Sequence, residues 1–462
     1  MTRHRFFLVL AAALTVGASK AAAQAPARQC LLQYETSTGN TRTNAQKIPS
    51  GQYNFFQGGG VTYHCEGQDN TLIADSAEYY GDQKVLFLIG NVHYTEPRAK
   101  VDSDRMTYYQ IEDRLRAEGN VNVRTQTGTT IRGPLIDYYR ATTTRLLART
   151  IATGRPHMSI AQRQTGAQPP EPVDVVANSL VAEGDNLVYA SGAVEVTRPD
   201  LIAKSDSAFL DGTREFARLM KTPSVQSRKG RPFTLSGGTI DLFSRTRQLE
   251  RVVATPSGHV LSQDLELAAD SVDLRIRDNQ IQRVVAWGKK SRATALSPER
   301  QIIADSIDAV MPEQRLREVR AIGKAYANSV PDTSRLVSTE RDWMRGDSII
   351  AEFDSIAPGD TTAKPKAKRI ISNGNASSFY QLAGSGPGKA LPNLNYVRGR
   401  IITVAFVDKV VSTVNVVDQA SGVYLEPNST PVRGTANAAR PPGQTPVPPP
   451  APPPADPRRR AP

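Results

Sequence analysis

Apolar positions in this chain repeat one pattern ten times. Its plainest copies are Leu72-Ile73-Ala74-Asp75-Ser76-Ala77-Glu78-Tyr79, Leu267-Ala268-Ala269-Asp270-Ser271-Val272-Asp273-Leu274 and Ile302-Ile303-Ala304-Asp305-Ser306-Ile307-Asp308-Ala309. Counted from the central Asp, apolar side chains fall at −3 and −1, then at +2 and +4. The −1 residues are Ala74, Ser103, Gly133, Ala177, Ser205, Gly237, Ala269, Ala304, Gly346 and Gly399, all small. The +2 residues run from Ala77, Met106, Ile136 and Leu180 to Ile349 and Ile402. Period-two alternation marks a half-buried strand. The parity changes across the Asp, so one residue is inserted there, as a β-bulge or sharp bend inserts it, and both arms keep their apolar side inward. A small residue beside the bend leaves room for the next strand.

A second pattern follows most copies: Leu86-Phe87-Leu88-Ile89-Gly90-Asn91-Val92, Leu115-Arg116-Ala117-Glu118-Gly119-Asn120-Val121, and later forms around Gly192, Gly323 and Gly374. Each is an alternating strand with Gly in its middle, which suggests a bulge or a close backbone approach. Short polar turns such as Gly81-Asp82-Gln83 and Glu112-Asp113 separate the two patterns. The unit is strand, turn, strand, with a period of about 30 residues, and such self-similarity is the signature of a stacked repeat architecture. The chain is therefore expected to be all-β and elongated, with about ten strand-turn-strand rungs.

Longer steps between repeats mark insertions. Gly154 to Asp174, Pro358 to Lys368 and Ala383 to Leu394 read as loops. The first divides an expected N-terminal body at 30–153 from a second at 175–425, and residues 428–462 read as a disordered, proline-rich tail ending in three arginines. At the other end, Arg3 and Arg5 precede an apolar run and Ala21-Ala22-Ala23, so 1–23 reads as a secretory signal peptide. Cys30 and Cys65 are the only cysteines of the 462 residues; in an exported chain they are expected to form one disulfide. The net charge of +12 suits anionic partners such as a phosphate-bearing lipid or an acidic polysaccharide, and no nucleic-acid partner is expected.

Candidate chemistry is sparse. His64, His93, His157 and His259 share no spacing, and no nucleophile triad, phosphate loop or metal-ligand spacing is visible, so neither catalysis nor a cofactor nor a metal is expected. The repeated Asp invites a calcium ladder, but calcium repeats carry dense Gly-Asp runs, and the Asp is read instead as capping the bend through its own backbone. Doubled tyrosines at 79–80, 108–109 and 138–139 place one ring inward and one outward, as a cross-strand stack.

The Ala-Asp-Ser strand at Ala74 to Tyr80 and the Gly-Asn-Val strands at Gly90 and Gly119 resemble the OstA family, which contains the lipopolysaccharide transport proteins LptA and LptC and the N-terminal domain of LptD. The likeness is tight over residues 51–196 and weaker to 425. It implies a β-jellyroll of two twisted sheets whose apolar interior holds lipopolysaccharide, or lipid A, in transit through the periplasm to the outer membrane. It also implies partners docked edge to edge: other family members, or further copies of the chain. The chain departs from the family in having more rungs than LptA, no closing aromatic strand of an LptD barrel and no LptC-like anchor. Lipid-groove candidates are Leu72, Ala74, Ala77, Tyr79, Leu86, Leu88, Val92, Met106, Tyr108, Leu115, Val121, Ile136, Ala177 and Leu180. Small inward residues facing each other across sheets about 10 Å apart leave room for acyl chains. The alternatives are a non-catalytic scaffold or adhesin with a dry core, or an enzyme on a β-helix acting on acidic polysaccharide.

Overall fold

A computed structural model describes residues 30–35, 41–161, 172–228, 232–246, 248–262, 265–312, 315–331, 333–354, 366–383, 388–407 and 410–427. The expected signal peptide and proline-rich tail lie outside them. The described chain is all-β, without an α-helix. The first strands are β1 (Leu32–Glu35), β2 (Arg42–Lys47), β3 (Tyr53–Cys65), β4 (Thr71–Tyr80), β5 (Val85–Thr95), β6 (Ala99–Tyr109), β7 (Arg114–Thr125) and β8 (Thr130–Tyr139). Next come β9 (Arg149–Thr153), β10 (His157–Ile160), β11 (Val173–Val176), β12 (Ser179–Glu183), β13 (Leu187–Thr197) and β14 (Leu201–Asp211). Shorter strands follow: β15 (Phe216–Met220), β16 (Ser224–Ser227), β17 (Phe233–Ser236), β18 (Thr239–Arg245), β19 (Gln248–Thr255), β20 (Gly258–Ser262), β21 (Glu266–Ala269) and β22 (Ser271–Arg277). The last are β23 (Gln280–Trp287), β24 (Ala293–Leu296), β25 (Arg300–Ala304), β26 (Ser306–Val310), β27 (Glu318–Ser329), β28 (Asp342–Phe353), β29 (Ala367–Leu382), β30 (Asn393–Val407), β31 (Val410–Val417) and β32 (Ser421–Leu425).

All of these pairings are antiparallel, and together they form a folded meander. A rung is either one bent strand, such as β4 or β5, or two short strands in series, such as β9 with β10. One arm of each rung lies in a first sheet and the other in a second. Residues 76–80 of β4 pair with 85–89 of β5 in the first sheet, whereas 71–73 pair with 93–95 in the second. The same register shift recurs from β5 to β6, β6 to β7, β7 to β8, β13 to β14, β27 to β28 and β29 to β30. The parity change read from the sequence is this bulge. In β4, Leu72 and Ala74 are buried before it and Ala77 after it. The bends line one long side of the ladder, and the hairpin tips line the other.

The two sequence patterns prove to be two halves of one corner. Gly90 and Asn91 both have positive φ, as do Gly119 with Asn120 and Gly323 with Lys324, so the chain turns there in the left-handed region. The Asp of the preceding rung lies on the bare face of that glycine. A Cβ on Gly90 would enter the Asp75 carboxylate, and one on Gly119 the Asp104 carboxylate. Asn91 Nδ2 donates to Asp75 Oδ2 at 2.9 Å and Asn120 Nδ2 to Asp104 Oδ2 at 2.8 Å. The Asp therefore braces the neighbouring rung rather than capping its own backbone, which corrects the sequence expectation. Where the following rung lacks Gly-Asn, other donors serve. Asp270 accepts N–H bonds from Lys289, Lys290 and Ser291, and Lys221 Nζ lies 3.0 Å from Asp206. The Ser291 hydroxyl, then the Lys290 N–H, hold the Asp270 carboxyl down at about 2.

The two expected bodies are not separated by a break in pairing. Within the segment expected as a loop, β10 forms and pairs with both β8 and β11, and β9 pairs with β12. One apolar core runs between the sheets from Cys30 to Val404. Cys30 and Cys65 are joined by a disulfide that ties the segment leading into β1 to the end of β3. Among the described residues, β1 and β2 pair only with β3, and β31 and β32 only with β30, so each end presents an open edge.

Candidate lipid-binding interior and its mouth

The alternation places the groove candidates together, in one interior. Leu72, Ala74, Ala77, Leu86, Leu88, Val92, Met106, Tyr108, Leu115, Val121, Ile136, Ala177 and Leu180 are each 0–3% exposed, and Tyr79 is partly buried against the same core. An open groove would leave these side chains touched by water, and they are not. The interior is closed as it stands: these side chains are shut off from water, and within their sheets Ala74 lies opposite the larger Val61 and Ala77 opposite Leu88. A parting of the sheets at their tips would admit a ligand.

Those tips carry a polar cluster that the sequence reading missed. Arg140 follows β8 at the rim of the first sheet, and its side chain is 4% exposed. Its Nε donates to Glu96 Oε2 at 3.3 Å, Nη1 to Asp113 Oδ1 at 3.2 Å and Nη2 to Gln68 Oε1 at 2.6 Å. Glu96 and Gln68 stand on turns of the second sheet, and Asp113 on a turn of the first. The guanidinium thus bridges the mouth. Three phenols rise to it from inward positions. Tyr94 donates to Glu96 at 2.7 Å, Tyr108 donates to Asp113 at 2.6 Å, and Tyr138 also donates to Glu96. Burial, then the carboxylates they bond, push all three phenols well above the ordinary range. Burial works against the Arg140 charge, but Tyr94, Glu96, Tyr108 and Asp113 outweigh it and hold the proton more firmly than in water. A second tie crosses the mouth where Gln110 Nε2 donates to the Cys30 carbonyl at 3.1 Å. The doubled tyrosines were legible as in-and-out pairs. What could have pointed to Arg140 is only its position, one residue past Tyr138-Tyr139.

The outer faces hold the remaining chemistry. Tyr80 meets Phe56 and Phe87 edge-on at 6.1 and 5.6 Å, and Arg114 lies 4.0 Å over the Tyr109 ring. Beside them is a shallow depression of about 540 Å³, lined by Tyr80, Phe87, Ile89, Arg105, Arg116 and Glu118 among others. His64, His93, His157 and His259 each face a carboxylate on an adjacent strand, Glu35, Asp102, Asp174 and Glu266 respectively. No group of three or more metal-ligating side chains occurs among the described residues. Compared with models of known families and with curated proteins, the chain matches none.

Proposed function

We propose that this chain is a periplasmic, non-catalytic OstA-like protein. It takes up lipopolysaccharide or a related lipid between its two sheets and assists its passage to the outer membrane. The observation that carries this reading is the bent rung. In the bent rungs the chain itself crosses from one sheet to the other on the bend side, whereas at the tips of the N-terminal rungs the sheets are tied through the side chains of Arg140 and Gln110. That construction gives a long apolar interior with one side able to open. A dry sandwich of unrelated sheets has no need of a corner rebuilt in each repeat. The disulfide and the leader-like residues 1–23 support an oxidising, exported setting. The open edges support docking of family members or of a second copy.

The closed packing favours a second reading, a scaffold or adhesin whose core stays dry. One experiment separates the two. Mature protein is purified gently from the periplasm of a bacterium with an outer membrane and weighed by native mass spectrometry. A co-purifying lipopolysaccharide or lipid A mass, lost when Ala74 and Ala177 are enlarged to Phe, supports transport. A mass without lipid, unchanged on adding lipopolysaccharide, supports the scaffold.

A further inference from the structure

The Arg140 cluster is an unusual way to close an apolar interior. Buried ion pairs contribute little net stability compared with apolar packing of the same volume, because desolvating the charges offsets their attraction. Here one guanidinium faces two carboxylates, and Arg140 and Asp113 are each 4% exposed at the side chain. Glu96 differs from Asp113 in its freedom. It opens a tight turn at the rim, with its N–H donating to Ala99 O at 2.9 Å, and its side chain is more exposed, at 11%. Turning its carboxylate out to water would release three donors, Arg140 Nε and the Tyr94 and Tyr138 hydroxyls, for another anion to take. Below the cluster, the rings of Tyr94, Tyr108 and Tyr138 are inward members of the same rungs as Leu86, Leu88, Met106 and Ile136. A fork of N–H donors at the rim above an apolar interior has the layout of an amphiphile site, and a planar guanidinium matches a phosphate as well as a carboxylate.

Resting on the lipid reading, we infer that Arg140 is the headgroup receptor of the N-terminal rungs. A phosphate monoester at the polar end of an acylated ligand takes the guanidinium in place of Glu96, and its acyl chains pass inward between the three tyrosines. Glu96 is then a built-in competitor that keeps the mouth shut until a phosphate displaces it. The exchange also unties the second sheet, since Glu96 supplies a main bond across the mouth.

The test is calorimetric titration of the mature, full-length chain with decyl phosphate, decyl maltoside and inorganic phosphate. Wild type, Glu96→Gln and Arg140→Gln are compared. The expected result is a roughly ten-fold preference of wild type for decyl phosphate over decyl maltoside. Glu96→Gln should tighten decyl phosphate several-fold and the maltoside less, because both gain from the loosened mouth but only the phosphate gains the guanidinium. Arg140→Gln should erase the preference. Should Arg140→Gln fail to fold, Arg140→Lys replaces it; the charge without the fork should keep only part of the preference. A preference that survives loss of the guanidinium, or decyl phosphate weakened by Glu96→Gln, overturns the assignment. Inorganic phosphate bound as tightly as decyl phosphate overturns it too, since the acyl chain would then contribute nothing. If both amphiphiles bind without preference, the Arg140 assignment alone fails. If neither binds, the lipid reading fails with it.

Discussion

Replacing Gly119 by Ala tests the corner on which the ladder is built. Gly119 has φ +76°, where an L side chain costs about 1–2 kcal/mol. The new Cβ would also enter the carboxylate of Asp104, adding about 1–2 kcal/mol if the neighbouring strand must shift. The expected loss is therefore about 2–4 kcal/mol, summed from the backbone and steric parts. The two parts can be separated. Asp104→Ala alone removes the exposed bond from Asn120, about 1 kcal/mol. In the double variant the clash is gone while the backbone part and the lost Asn120 bond remain, so the double should cost less than the sum by about 1–2 kcal/mol. Gly58→Ala is the control, because its φ is not positive and nothing lies within 4 Å of the new Cβ; it should be neutral or slightly stabilising. The measurement is amide hydrogen exchange in β6 and β7 of the full-length protein, which reads local opening where a long repeat does not unfold in two states. Strictly additive single variants, or a Gly119→Ala protein with unchanged exchange, would refute the idea that Asp and Gly of successive rungs form one corner.

Three further outcomes follow from the packing. Burial raises the Asp342 carboxyl from 3.8 to about 6, against hydrogen bonds from Gln381 that lower it. The folded carboxyl keeps its proton to higher pH than the unfolded one, so its contribution to stability declines as pH rises from about 4 to 6 and stays low above. Exchange protection in β28 and β29 should thus be greater at pH 5 than at pH 7, by about 1 kcal/mol, and Asp342→Asn should flatten that slope; an unchanged slope counts against it. Reducing the Cys30–Cys65 disulfide, which closes a sequence separation of 35, should cost about 2–4 kcal/mol, with faster exchange in β1 to β4 and none in β28 to β30. Leu86→Ala should cost about 2–4 kcal/mol, because Leu86 is fully buried in a filled interior; urea unfolding of the region near β5 reads it, and a loss under 1 kcal/mol would mean the interior is looser than its burial indicates.

The alternation of apolar residues determined a good deal by itself. It settled the strand class, the position of each bend and the inward face of every repeat, because side-chain direction in a strand has period two and a single inserted residue reverses it. Leu72, Ala74 and Ala77 are buried where the spacing puts them. The partnership of Asp75 with Gly90 was not legible. Both motifs could be seen, but only strand register decides which residue of one rung lies on which residue of the next. The pairing of β9 with β12 and β10 with β11 likewise carried the sheets past a segment whose prolines read as a boundary. Arg140, Glu96, Gln68 and Asp113 lie far apart in sequence and on four different connections. Their meeting depends on folding the meander so that tips of two sheets face each other, a long-range geometry that no local pattern encodes. Whether the interior stands open or shut was decided in the same way. Composition supplies small and large apolar residues; tertiary packing sets whether water reaches the small ones across a gap, and in this protein Ala74, Ala77 and Ala177 are shut away from it.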